Sequence, residues 1–355
     1  MHVAIVHDWL NGMRGGEKVL EELLDLFPEA VIYTLFHERG KVSRRIESHR
    51  IETSWLNRIP GVYRYYRNLL PLFPSAIESL DLSGFDLVIS SSHAAAKGVR
   101  APGATHICYC HTPMRYVWDA EDDYAFGPLQ RIAMRAVRSR LRRWDCEAAT
   151  RVDHFMANSR FVAERIRTYY GRDAAVIYPP VDTDFFTPPT VSNTREDFYL
   201  FAGALAPYKR VDLAVEACAK MGRRLVVTGN RGWVSNEELR QLYRTAKGLI
   251  VAGREDFGIV TVEAIACGCP VIAFAAGGSA EIVKDGVNGI LFAEQQAHDI
   301  VRALRRFETM SWPEDQVRQQ VETFSREAFR TGIRKFITER AVIESQAQIS
   351  ELQPA

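Results

Sequence analysis

Short apolar runs alternate with longer amphipathic stretches along almost the whole chain. It opens on an apolar run at residues 3–6, then the turn-rich NGMRGG, then the helix-like EKVLEELLDLF: strand, glycine loop, helix. The order recurs. FDLVISSS (85–92) and THICYCH (105–111) read as buried strands bounded by Gly, Pro and Ser, and a helical period follows over 129–149. The strand HFMANS then leads into the helix RFVAERIRTYYG. Strands alternating with helices predict a parallel sheet covered on both faces.

The pattern breaks at 176–190, where VIYPPVDTDFFTPPT holds four prolines and no helical period. Beyond it the alternation resumes with DFYLFAGAL, a helix over 211–221, RLVVTG, GLIVAG, the helix GIVTVEAIACG and CPVIAFAAGG. Gly268 stands where a helix C-cap glycine belongs, and Pro270 blocks continuation. A long amphipathic helical stretch, FSREAFRTGIRKFITERAVIESQAQISEL, follows. The expected architecture is α/β: two Rossmann-like parallel-sheet domains facing a central cleft. Their limits are 1–178 for the first domain, 179–194 for a hinge, 195–337 for the second, and 338–355 for a helix returning to the first. A ligand in such an arrangement lies between the carboxyl ends of the two sheets.

A length of 355 residues agrees with two domains, and 47% hydrophobic with 25% charged residues is ordinary for a globular chain. The net charge of +1 gives no reason to expect nucleic acid. No apolar run reaches the ~20 residues of a membrane span, and MHVAIVHDWL lacks the pattern of a signal peptide. Cys108, Cys110, Cys146, Cys218, Cys267 and Cys269 lack zinc-site spacing and read as small buried hydrophobes in a reducing, cytoplasmic compartment.

Four places could carry chemistry. The loop 11–17 does not follow the dinucleotide spacing G-x-G-x-x-G; its glycines Gly15 and Gly16 either make a tight turn or present backbone N–H groups to an anion at a helix start. His111 ends a buried strand on the cleft side, and His93 has a similar but weaker position. Lys209 and Arg210, in PYKR, lie in the second domain's first loop, where they either begin a solvated helix or meet a diphosphate. EDFGIVTVE places Glu255 and Glu263 around a helix start, beside AAGGSAE, whose Gly277 and Gly278 would admit a ligand close to backbone and whose Glu281 complements a helix dipole.

EDFGIVTVEAIACGCPVIAFAAGGSAEIVKDGVNGILF resembles the signature of GT-B glycosyltransferases of the large retaining family four. GGEKVL, CHTPMRYVWD and APYKRVDLAVEA resemble, more narrowly, bacterial mannosyltransferases that build O-antigen and exopolysaccharide. The resemblance implies that Glu263 binds the donor ribose and Glu255 the sugar ring hydroxyls. It implies that backbone N–H groups of Phe257, Gly258, Ile259 and Val260 meet the sugar and diphosphate. Gly16, with Gly15, matches the diphosphate-contacting glycine, Lys209 the phosphate-binding lysine, and His111 the histidine at the transferred hexose. Gly229 and Asn230 stand where the nucleobase loop begins. Many members carry Arg after the strand-end glycine where this chain reads Gly203-Ala204, and Arg210 is the candidate replacement.

The expected activity is therefore metal-independent transfer of a hexose, mannose from GDP-mannose, to a lipid-linked glycan, with the nucleotide sugar as co-substrate and no cofactor. A UDP-sugar donor, a sugar-nucleotide epimerase of the same fold and a two-domain solute-binding protein are the rivals. The acidic run Glu121-Asp122-Asp123 splays in different directions and is not read as a metal site. LQRIAMRAVRSRLRRW (129–144) carries an apolar stripe and six arginines with no acid. Its other face is either simply solvated or, through Arg131, Arg135, Arg138 and Arg142 turned outward, in contact with an anionic inner-membrane surface or a lipid-diphosphate acceptor.

Overall fold

The computed structural model describes residues 1–118, 128–190, 195–229 and 234–351, with side chains of 128–136 and 341–351 left aside. The first domain is a seven-stranded parallel sheet in the order β3-β2-β1-β4-β5-β6-β7. Its strands are β1 Val3–His7, β2 Val31–Thr34, β3 Ile51–Thr53, β4 Leu87–Ser92, β5 Thr105–Cys110, β6 His154–Ala157 and β7 Ala174–Val176. Every residue of β1 and β4 is buried, because helices cover both faces of the sheet. The second domain orders five parallel strands β12-β11-β10-β8-β9: β8 Phe198–Phe201, β9 Arg224–Val227, β10 Gly248–Val251, β11 Val271–Phe274 and β12 Gly289–Phe292.

Both sheets are doubly wound, so each has one place where the strand order reverses: between β1 and β4, and between β8 and β10. The helix leaving β1, Gly15–Leu26, and the helix leaving β10, Ile259–Ala266, start at these two places. Each sheet thus sets one helix N-terminus at its own reversal point.

The chain passes between the domains twice. On the outward passage Val181 N–H donates to Phe324 O at 2.9 Å, and Val181 pairs with Ser325, so the outward and return segments run side by side. The helix Arg326–Glu351 then rejoins the first domain well before position 338: Phe329, Ile333 and Phe336 are buried in one cluster with Ile5, Leu20 and Tyr109. Arg326 and Arg330 also donate to Glu22 at 2.6 and 2.5 Å.

Candidate functional site

The first domain's wall grows from the ends of β1, β4 and β5. Asp8, wholly buried just past β1, accepts the backbone N–H groups of His93, Ala94, Ala95 and Ala96 at 2.6, 3.0, 2.6 and 2.7 Å. His93 Nδ1 stands 2.9 Å from the same carboxylate. Burial opposes the Asp8 charge, but the His93 ring and amide and the His7 ring outweigh it and hold the carboxyl well below its usual range. The same contact raises the His93 pKa against burial.

Ser91 joins two more rings: its Oγ lies 2.8 Å from His111 Nε2 and 3.1 Å from His7 Nδ1. Burial, with the His93 and His7 rings, pushes His111 down to about 3, so it is neutral at ordinary pH. Gly16 roofs both rings; a Cβ there would lie 3.3 Å from His7 Cε1 and 3.7 Å from His111 Nε2. His111 and Gly16 are therefore neighbours. His7, Asp8 and Ser91 complete the wall, and none of them stood out in the sequence.

The second domain's wall is built around Glu255. Lys209 Nζ lies 2.7 Å from both Glu255 oxygens, a largely buried pair. Burial works against the Lys209 charge, and Glu255 beside it more than restores it, raising the pKa. Glu263 is buried in the helix Ile259–Ala266, with Tyr243 Oη 3.2 Å from one oxygen and Lys18 Nζ of the first domain 3.1 Å from the other. Phe257 and Gly258 lead into that helix, followed by Ile259 and Val260. Gly258 has φ 98°, and a Cβ on it would meet Ser279 Oγ at 2.5 Å.

Arg210 is turned elsewhere. It donates to Asp212 of its own domain, at 3.1 Å to Oδ1 and 3.0 Å to Oδ2, so the structure does not bring it to the Lys209–Glu255 pair. Gly229 backs onto Gly203 O, 2.9 Å from where its Cβ would be, and Asn230 lies outside the described residues. Gly277 and Gly278 do not open space for a ligand. Cβ atoms there would strike Glu255 O and Phe257 Cα at 2.4 Å each, so these glycines let the 255–257 loop seat itself.

The walls touch. A Cβ on Gly15 would reach Ile259 Cδ1 at 2.6 Å, and Arg115 pairs with Asp256 at 2.7 Å. Ser159 Oγ donates to Asp256 O at 2.6 Å. Glu281, expected to serve its own helix, instead accepts from the N–H groups of Arg160 and Phe161 at 2.9 and 2.8 Å, capping the first domain's helix Arg160–Tyr170 from across the cleft.

The arginine face departs from expectation. Arg138 and Arg142 do not turn outward: their Nε atoms donate to Val117 O at 2.9 and 2.7 Å, and Arg142 lies 5.0 Å over the Trp118 ring. A short helix, Arg115–Trp118, ends there and offers an unsatisfied carbonyl, which the two guanidinium groups take up. The side chains of Arg131 and Arg135, and the run Glu121-Asp122-Asp123, lie outside the described residues. All six cysteines are unpaired with one another, five of them buried.

Residues 13–185 match the family described as Glycosyltransferase Family 4, and residues 228–328 match Glycosyl transferases group 1. D-inositol 3-phosphate glycosyltransferase of Geodermatophilus obscurus is 30% identical, over 45% of this chain and 46% of its own. The Mycolicibacterium smegmatis protein of the same name is 31% identical, over 42% and 43%. The chain thus spans about half the length, or less, of these curated relatives. Among solved structures, sucrose-phosphate synthase from Thermosynechococcus elongatus superimposes with a TM-score of 0.69 at 15% identity, covering 97% of this chain and 100% of that one. Anabaena HepE in complex with UDP gives 0.66 at 15%, covering 96% and 100%. The architecture is the GT-B fold of glycosyltransferases. Within it, the family 4 match lies over the first domain and the group 1 match over the second.

Proposed function

We propose that the chain is a retaining, metal-independent glycosyltransferase that moves mannose from GDP-mannose onto a lipid-linked glycan at the inner face of the cell membrane. The observation that supports the transferase reading is the pairing of two walls: His111 beside Gly16 on the first domain, the Lys209–Glu255 pair and Glu263 on the second, with Lys18 of the first domain 3.1 Å from Glu263. Glu263 addresses the donor ribose, Glu255 the sugar ring and Lys209 the diphosphate, with the start of the helix Ile259–Ala266 supplying backbone N–H groups. Lys209 and that helix start neutralise the leaving diphosphate in place of a divalent ion. Attack on the donor's front face, with the departing phosphate taking the acceptor's proton, accounts for retention without a protein nucleophile.

The mannose reading draws on the resemblance of the GGEKVL, CHTPMRYVWD and APYKRVDLAVEA segments. A UDP-sugar is the second reading, favoured by the UDP and UDP-glucose complexes of the HepE fold neighbour. Membrane contact finds support at a different place from the helix 128–150. Trp55, Tyr65 and Leu72 are 38–40% exposed, with exposed Arg58, Arg64 and Arg67 among them and no acid between positions 53 and 77. No helix among the described residues is long and apolar enough to cross a membrane.

The test is a panel of nucleotide sugars, read first by thermal stabilisation and then by transfer to a lipid-linked saccharide with EDTA present. Stabilisation by GDP-mannose above UDP-glucose, and EDTA-resistant transfer, are expected. A new nucleotide sugar formed without acceptor would make the chain an epimerase instead. Sedimentation with anionic but not neutral vesicles, lost in R58Q/R64Q/R67Q, tests the membrane surface.

A further inference from the structure

Glu17, His7, Ser91 and His111 form a row in which the first three are almost wholly buried. Glu17 Oε2 accepts the Arg14 N–H at 2.9 Å, and Oε1 stands 3.6 Å from His7 Nε2. His7 Nδ1 lies 3.1 Å from Ser91 Oγ, which lies 2.8 Å from His111 Nε2. Other groups facing these rings include Gly16 above them, Tyr109 edge-on to His111 with ring centres 5.2 Å apart, and His93, which Asp8 holds at 2.9 Å.

Proton counting fixes the direction of the row. A serine hydroxyl has a single proton, so Ser91 donates to only one of the two rings. An ionised carboxylate only accepts, and a bare ring nitrogen facing it is repelled, so His7 carries its proton on Nε2. When only one His7 nitrogen is protonated, Nδ1 is bare and takes the Ser91 proton. The Ser91 oxygen must in turn receive Nε2–H from His111, leaving His111 Nδ1 bare. A doubly protonated His7 would donate to Ser91 and reverse the row. We propose that Glu17, His7 and Ser91 are positioning residues that set which nitrogen of His111 bears the proton. The consequence rests on the proposed role of His111 at the hexose: a bare Nδ1 accepts from a sugar hydroxyl, whereas a protonated one does not.

Glu17→Gln reverses the row. The Gln carbonyl must stay on the Arg14 N–H, which turns the amide NH2 toward His7 Nε2. His7 then carries its proton on Nδ1 and donates to Ser91, Ser91 donates to His111 Nε2, and His111 becomes Nδ1-protonated. The experiment records ring nitrogen shifts of the full-length, 15N-histidine-labelled chain near pH 7.5, without donor or acceptor. Expected are Nε2–H on His111 in the wild type, Nδ1–H in E17Q, and one common state in S91A and E17Q/S91A, where the row is cut. An unchanged His111 tautomer in E17Q, or Nδ1–H in the wild type, overturns the proposal. Should E17Q fail to fold, the wild type and S91A decide together: the Nε2–H population of His111 must be larger in the wild type than in S91A, and an equal or smaller one overturns the proposal. Because the readout needs no substrate, it stands or falls separately from the transferase reading. If transfer is detected, E17Q lowers kcat while the donor KM holds.

Discussion

Lys209 and Glu255 illustrate how much a single partner matters in a buried pair. With only 16% and 11% of the two side chains exposed, removing one leaves the other charge uncompensated, at a cost of about 3–5 kcal/mol. E255A should therefore melt well below the wild type, and E255A/K209M should recover most of the loss because no lone charge remains. Activity divides differently: E263A should chiefly weaken nucleotide binding, whereas E255A and H111A slow turnover of bound donor. Isothermal titration and single-turnover rates separate the two. The glutamates, Lys209 and His111 were legible because each stands at a strand end or helix start of an alternating pattern. Asp8 and His7 were not, since they read as the polar end of the strand β1 and nothing local shows that the 93–96 turn folds onto Asp8.

Elements of the second domain depend on glycines placed where a side chain has no room. G258A must hold a left-handed φ of 98° and push into Ser279 Oγ, so a loss of about 1–3 kcal/mol from strain alone is expected. Denaturant melts of G258A against S279A/G258A measure how much is collision and how much is backbone strain. The helix 128–150 was readable as a helix from its stripe, but not the direction of its arginines. A free carbonyl at Val117 is a tertiary fact, invisible in a charge pattern. R138Q/R142Q should accordingly lower the melting temperature by loosening the Arg115–Trp118 turn. Strands β2, β3, β7 and β12 escaped sequence reading because three or four residues are too few to show a period.

At the scale of the molecule, neutral buried histidines set a lower pH limit. His111 and His106 are held near 3 and near 4, chiefly by burial, while in the unfolded chain they titrate near 6.5. Below about pH 6.5 the unfolded state therefore binds protons that the native state refuses, and each histidine costs up to about 1.4 kcal/mol per pH unit. The opposite sign holds for His93: its raised pKa adds stability below about 6.5 that fades as pH climbs through the folded value. Melting temperature followed from pH 5 to 9 should fall at both ends, and H93Q should remove the alkaline decline alone.

Because Phe329, Ile333 and Phe336 return to the sheet that Val3 begins, the second domain is an insertion within the first rather than its successor. Its two ends leave through one doorway, where Val181 stands opposite Ser325 and donates to Phe324 O. Two cuts at that doorway free a cassette whose ends already touch. A short glycine linker joining 181 to 325 should leave a first domain that folds by itself, and the released 182–324 segment should tolerate cyclisation or transplantation into another chain with the same doorway. In such a design the second domain is exchanged as one module, while the first keeps its own sheet whole.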